Sequence, residues 1–167
     1  QNMESIEVAA YEFGLEGIEE MYRSRDTHIL IDGWLDIPST QWIEESGEDW
    51  HAIVTSVPGS WIRDLRLQHG DRLFSANFRD YLGAAKRKGN INYEIRQTIE
   101  SEPRNFWVYN NGITALTHEL KTSGEGVRIR GISIINGAQT SGAIGESDQY
   151  NAAEAKVLFR IVDSDPQ

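Results

Sequence analysis

Asn136, Gly137, Gln139 and Thr140 stand at a junction where a chain can hold an anion. They fall within residues 131–146 (GISIINGAQTSGAIGE), which read as a buried strand, a glycine turn and then a helix. The strand delivers Asn136 to a sheet edge, and Gly137 lets the backbone turn tightly or come close to a ligand. Ala138, Gln139 and Thr140 then occupy a first helical turn. There the N–H groups lack intrahelical partners and the helix dipole favours negative charge. Gln139 and Thr140 add an amide and a hydroxyl, a combination suited to a phosphate or a nucleotide. Neither GxxxxGK(S/T) nor GxGxxG occurs here, so this is not a Walker loop or a dinucleotide fingerprint. The plainer alternative is that Asn136 and Thr140 only cap the helix.

A second amide-rich stretch is FWVYNNGITAL, residues 106–116. Asn-Gly between two apolar runs signals a hairpin turn, because both residues tolerate positive φ. With two asparagines in a row, Asn110 and Asn111, one can serve the turn while the other faces a pocket. A third stretch, LFSANFRDYLG (73–83), sets Arg79 among Leu73, Phe74, Phe78 and Tyr81. A guanidinium in apolar surroundings needs a partner, either a carboxylate such as Asp80 or Glu94 or a bound anion. The run Lys86, Arg87, Lys88 is the one concentrated basic patch, either a solvated loop or a nucleic-acid contact.

Catalytic patterns are thinner. Glu154-Ala155-Lys156 matches the ExK end of a metal-dependent nuclease site, with Asp148 the nearest candidate for the second acid. His28, His51, His69 and His118 lie on separate elements without metal-ligand spacing, so no metal site and no catalytic residue is assigned. The five tryptophans, Trp34, Trp42, Trp50, Trp61 and Trp107, suit core or interface anchors better than base stacking, since the acidic segment around Trp34, Trp42 and Trp50 would repel a phosphate backbone. An exposed aromatic patch between Trp34 and Trp61 would fit a sensor surface for another protein.

These residues need elements to place them. Residues 13–22 put Leu15, Ile18 and Tyr22 on one helical face. A strand follows at 27–31, closed by Asp32-Gly33, and another at 51–57. Pro58-Gly59 breaks the second, and Ser60 caps a short helix that Gly70 ends. Asn90 caps a helix carrying Ile91, Ile95 and Ile99, which Pro103 stops. A turn at 123–126 leads to a strand at 127–135, whose apolar alternation changes phase at Gly131, the mark of a bulge. Residues 156–162 are almost continuously apolar, as in a strand buried on both faces. The interleaving predicts an α/β or α+β domain, a mixed β-sheet flanked by helices.

The 167 residues suit one domain with a real core, since 39% are hydrophobic. The chain reads as a piece of something longer, with residues 1–25 a linker helix from a preceding domain and other domains of the full-length protein as partners. A net charge of −10 excludes a generally basic surface, so any nucleic-acid contact has to be local. The absence of cysteine excludes disulfides, thiolate metal sites and cysteine nucleophiles. Nothing in the sequence approaches a membrane span, and a cytoplasmic location is expected.

Taken in order, LFSANFRDYLG, NINYEIRQTI, FWVYNNGIT and IINGAQT resemble the motif blocks of the abortive-infection phage-resistance (AIPR) family, from about residue 73 to residue 140. That resemblance puts Arg79, Asn92, Thr98, Asn110, Asn111, Gly112, Thr114, Asn136, Gly137, Gln139 and Thr140 on the family's motif positions. It implies a role in bacterial defence against phage, in which the partner of a sensor surface would be a phage protein, with no cofactor specified. A looser likeness, to the strand–Gly–helix phosphate cradle of ParB-like and sulfiredoxin-like domains, implies nucleotide binding. Here Thr140 stands where those domains carry a basic residue, and Arg79 is the candidate to supply the charge. The expected function is binding of a nucleotide or nucleic-acid phosphate in a pocket lined by amides at a helix N-terminus.

Overall fold

The computed structural model describes residues 29–74 and 89–163, with the side chains of its second helix described from Tyr93 onward. The fold is α+β. Among the described residues seven strands form one mixed sheet: β1 (Ile31–Ile37), β2 (Trp42–Ser46), β3 (His51–Pro58), β4 (Ile113–Thr117), β5 (Glu119–Ser123), β6 (Gly126–Asn136) and β7 (Lys156–Asp163). The strand order is β1-β6-β4-β7-β3-β2, and β5 pairs with the first half of β6. Every pairing is antiparallel except β4 with β7.

The long strand β6 shows how the sequence dictates this arrangement. Val127 and Ile129 are buried in its first half, Ile132 and Ile134 in its second. The phase changes at Gly131, which has φ of 76°, and the register against β1 slips there, as the alternation predicts. One consequence was not expected. Asp32 and Gly33 lie inside β1 instead of ending a strand, because the same irregularity absorbs them, with φ of 143° at Gly33.

Five α-helices complete the described residues: α1 (Gly59–His69), α2 (Gly89–Ser101), α3 (Phe106–Tyr109), α4 (Ala138–Glu146) and α5 (Gln149–Glu154). Packing of α1 on α4 and α5, and of α2 on α4, builds a layer over one face of the sheet. The core lies between, with Val157, Phe159, Ile161, Ile53 and Ile113 from the strands meeting Ile62, Leu65, Ile99 and Ile144 from the helices. Each such buried side chain contributes about 1.5–3 kcal/mol relative to exposure. Trp61 meets Phe159 edge-on, with ring centroids 5.5 Å apart.

Several local expectations are corrected. Pro58, not Ser60, precedes the first turn of α1, and no side chain caps it. The Gly59 N–H instead donates to the Ala155 carbonyl at 2.8 Å, a partner distant in sequence. Asn90 lies inside α2, which begins at Gly89. Phe106–Tyr109 is a helical turn, so Asn110-Asn111-Gly112 joins a helix to a strand and is not a hairpin. Strand β7 is buried on one face only. Val157, Phe159 and Ile161 face the core, whereas Leu158 and Val162 are half-buried and Lys156 and Arg160 exposed. Residues 1–28 and 75–88 lie outside the described residues, and with them the expected helix at 13–22, Arg79 and the basic run 86–88.

Candidate functional site

The two amide-rich loops meet at one end of β4 and β6. Asn110 ends α3, its N–H donating to the Phe106 carbonyl at 3.0 Å. Its side-chain Oδ1 accepts from the Gly112 N–H at 2.9 Å and from the Thr140 hydroxyl at 3.2 Å. One amide oxygen thus folds its own loop and fastens it to the first turn of α4. The backbones are in close contact. Gly112 and Gly137 have φ of 79° and 90°, and a Cβ on Gly137 would stand 2.7 Å from the Gly112 carbonyl oxygen. Only glycine adopts that conformation there without strain.

The plain capping alternative does not hold for Asn136 or Thr140. Gly137 is the N-cap of α4, and among the described residues no side chain caps the helix. The hydroxyl of buried Thr140 serves Asn110 instead. Asn111 and Asn136 are exposed and Gln139 half-buried, and among the described residues their amides make no hydrogen bond. Thr114 is the register partner of Asn136 across β4 and β6. The structure therefore brings together Asn110, Gly137 and Thr140 by direct contact and Thr114 with Asn136 by register, with Asn111 and Gln139 beside them in the chain. Asn92 is placed on α2, which packs on α4, while its side chain and all of Arg79 lie outside the described residues.

Sequence reasoning missed Arg160. It is the β7 register partner of Thr114, so Asn136, Thr114 and Arg160 form one row across three neighbouring strands. Side chains in such a row stand about 5 Å apart. Arg160 is exposed and enters no ion pair among the described residues, although the chain carries a net charge of −10. The available signal was one charged residue at an alternating position of an apolar strand, KVLFRIV.

Both acids of the nuclease pattern have other partners. Asp148 caps α5, accepting from the N–H groups of Tyr150 and Asn151 at 2.8 and 3.3 Å. Glu154, at the other end of that helix, pairs with Arg104 at 3.1 Å. Among the described residues no three His, Asp or Glu side chains are grouped to hold a metal ion. The tryptophans divide. Trp42 and Trp61 pack against the core, whereas Trp34 and Trp50 are each 41% exposed, with Lys121 and Arg128 over the Trp34 ring at 4.4 and 5.4 Å.

Towards the other end of β4, a cleft of about 790 Å³ is lined by His51, His118, Glu119, Lys121, Arg130 and Asp163. His51 Nε2 lies 2.7 Å from a Glu44 carboxylate oxygen. That hydrogen bond, more than any other cause, holds the Glu44 carboxyl below its ordinary value of 4.5. A lowered carboxyl contributes stability above its unfolded value and loses it as pH falls through the folded one. Urea midpoints should therefore fall less steeply below pH 4.5 in Glu44→Gln than in the parent chain. The difference will be small, because both side chains are partly exposed and screened.

Comparison with known families places these blocks in one frame. A family model described as AIPR protein matches residues 74–167, more than half of the chain. The matched stretch extends past Thr140 to include α5, β7 and Arg160. No curated protein and no solved structure matches the chain. No helix among the described residues is long and apolar enough to cross a membrane.

Proposed function

This chain belongs to the AIPR family, whose role is phage defence by abortive infection, and we propose that its part in that role is to hold the phosphate of a nucleotide or nucleic acid. The binding groups are the uncapped first turn of α4 with Gln139, the amides of Asn111 and Asn136, and the Thr114–Arg160 pair on the adjoining strands. Arg160 supplies the positive charge that Thr140 does not. One observation carries this reading. Asn110 spends its side chain fastening the two loops to each other, while three neighbouring amides have no hydrogen-bond partner among the described residues. Polar groups fixed in place but not consumed by the fold are suited to a ligand. Backbone N–H groups at a helix start, an amide and a guanidinium together favour a phosphate.

The test is thermal stabilisation on titration with nucleoside mono- and triphosphates and short oligonucleotides. A ligand at a hundredfold excess over its Kd should add about 2.7 kcal/mol, a rise of several degrees for a chain of this length. Gln139→Ala and Arg160→Ala should each lose most of that rise, with unliganded stability changed by no more than about 0.5 kcal/mol. A melting temperature that none of these ligands moves would dispose of the proposal.

A further inference from the structure

The row Asn136–Thr114–Arg160 lies on the sheet face turned away from the helix layer, and an aromatic side chain reaches the same face. Trp107, on α3, is 46% exposed, and its indole N–H donates to the Ser56 hydroxyl at 2.9 Å. Ser56 is the register partner of Leu158, so the ring is tied down where β3 and β7 adjoin. There it walls a cleft of about 720 Å³ shared with Val54, Ile43, Leu158 and Lys156. That volume lies within the range of small-molecule sites and admits a nucleobase.

The charge on this face is unlike that of the whole chain. Lys156 and Arg160 flank Leu158 on β7, each about 7 Å along the strand from it. Both are exposed, and neither forms an ion pair among the described residues. Across β2, β3, β7 and β4 the strand positions on this face hold one acid, Glu45 at the outer strand. Glu154 also lines the cleft, with its charge engaged by Arg104.

From this arrangement we propose that the face binds single-stranded nucleic acid. A base stacks on Trp107 in the cleft, and Arg160 and Lys156 hold the phosphates on either side. The inference rests on the phosphate site proposed above and names its ligand class. A double helix is disfavoured, because stacking needs a base whose π-face is uncovered. The sequence alone sets all five tryptophans, Trp107 included, aside as stacking platforms because of the acidity around Trp34, Trp42 and Trp50. Trp107 lies outside that acidic segment and shares its cleft with Lys156.

Fluorescence anisotropy with an end-labelled twelve-nucleotide oligothymidylate, and with the same strand paired to its complement, tests this on the 167-residue chain. The single strand should bind about tenfold or more tighter than the duplex. Trp107→Ala should weaken single-strand binding by roughly tenfold. Trp107→Leu, which keeps apolar bulk without a π-face, should do the same and serves if the alanine variant does not fold. Arg160→Ala should lower the salt dependence by about one phosphate contact. Equal binding of duplex and single strand, or unchanged affinity in both Trp107 variants, would overturn the inference. If mononucleotides still raise the melting temperature while oligothymidylate does not bind, this inference fails and the phosphate site stands.

Discussion

Gly112→Ala is expected to destabilise the chain by about 3 kcal/mol and to lower its melting temperature by roughly 6–12 °C. Two costs add. At φ of 79° an alanine pays the left-handed penalty of about 1–2 kcal/mol. Its Cβ would also overlap the Leu158 carbonyl oxygen and stand 2.8 Å from the Leu158 Cβ. The obstacle is backbone of β7, a central strand paired on both sides, so it cannot yield as a flexible side chain would. Gly142→Ala is the matched control. It lies within α4, where a Cβ meets nothing within 4 Å, and it should be neutral or gain about 0.5–1 kcal/mol. Equal urea midpoints for the Gly112 variant and the parent chain would mean that the 110–112 loop does not sit against β7 as described.

The same glycine shows what the sequence could and could not disclose. Positive φ at Gly112 was legible from Asn-Gly, but the reason for it was not. A hairpin and a helix-to-strand loop both use such a residue, and the choice depends on β7, far along the chain. Features resting on local pattern were readable. The bulge at Gly131 follows from apolar residues changing phase, and α4 follows from a glycine after a strand. Features resting on pairing were not. Hydropathy makes Leu158 and Val162 look buried, yet it cannot say which sheet face receives the helices. Arg160 becomes meaningful only when register sets it beside Thr114 and Asn136, residues of two other strands. Likewise Ser60 has the right chemistry for a cap, but a carbonyl from Ala155 satisfies Gly59 first. The motif blocks identified the family because their order survives without any knowledge of pairing.

Replacing Asn110 separates the structural role of this site from its binding role. Asn110→Ala removes the acceptor of two donors, the Gly112 N–H and the Thr140 hydroxyl, the latter on a residue 6% exposed. Leaving buried donors unpaired costs about 1–3 kcal/mol, so stability should fall by about 2 kcal/mol and the melting temperature by roughly 4–8 °C. The loop and α4 lose their tie, so nucleotide-dependent stabilisation should be lost as well. Asn110→Asp makes the sharper comparison. A carboxylate still accepts both hydrogen bonds, and unliganded stability should remain within about 1 kcal/mol of the parent. It also sets a negative charge, at a half-buried position, against the site where a phosphate is proposed to sit. Binding of nucleotides and oligothymidylate should therefore fall about tenfold or more while the fold holds. If the aspartate variant kept both its stability and its ligand response, no anion would bind beside Asn110, and the unpartnered amides around it would need another ligand.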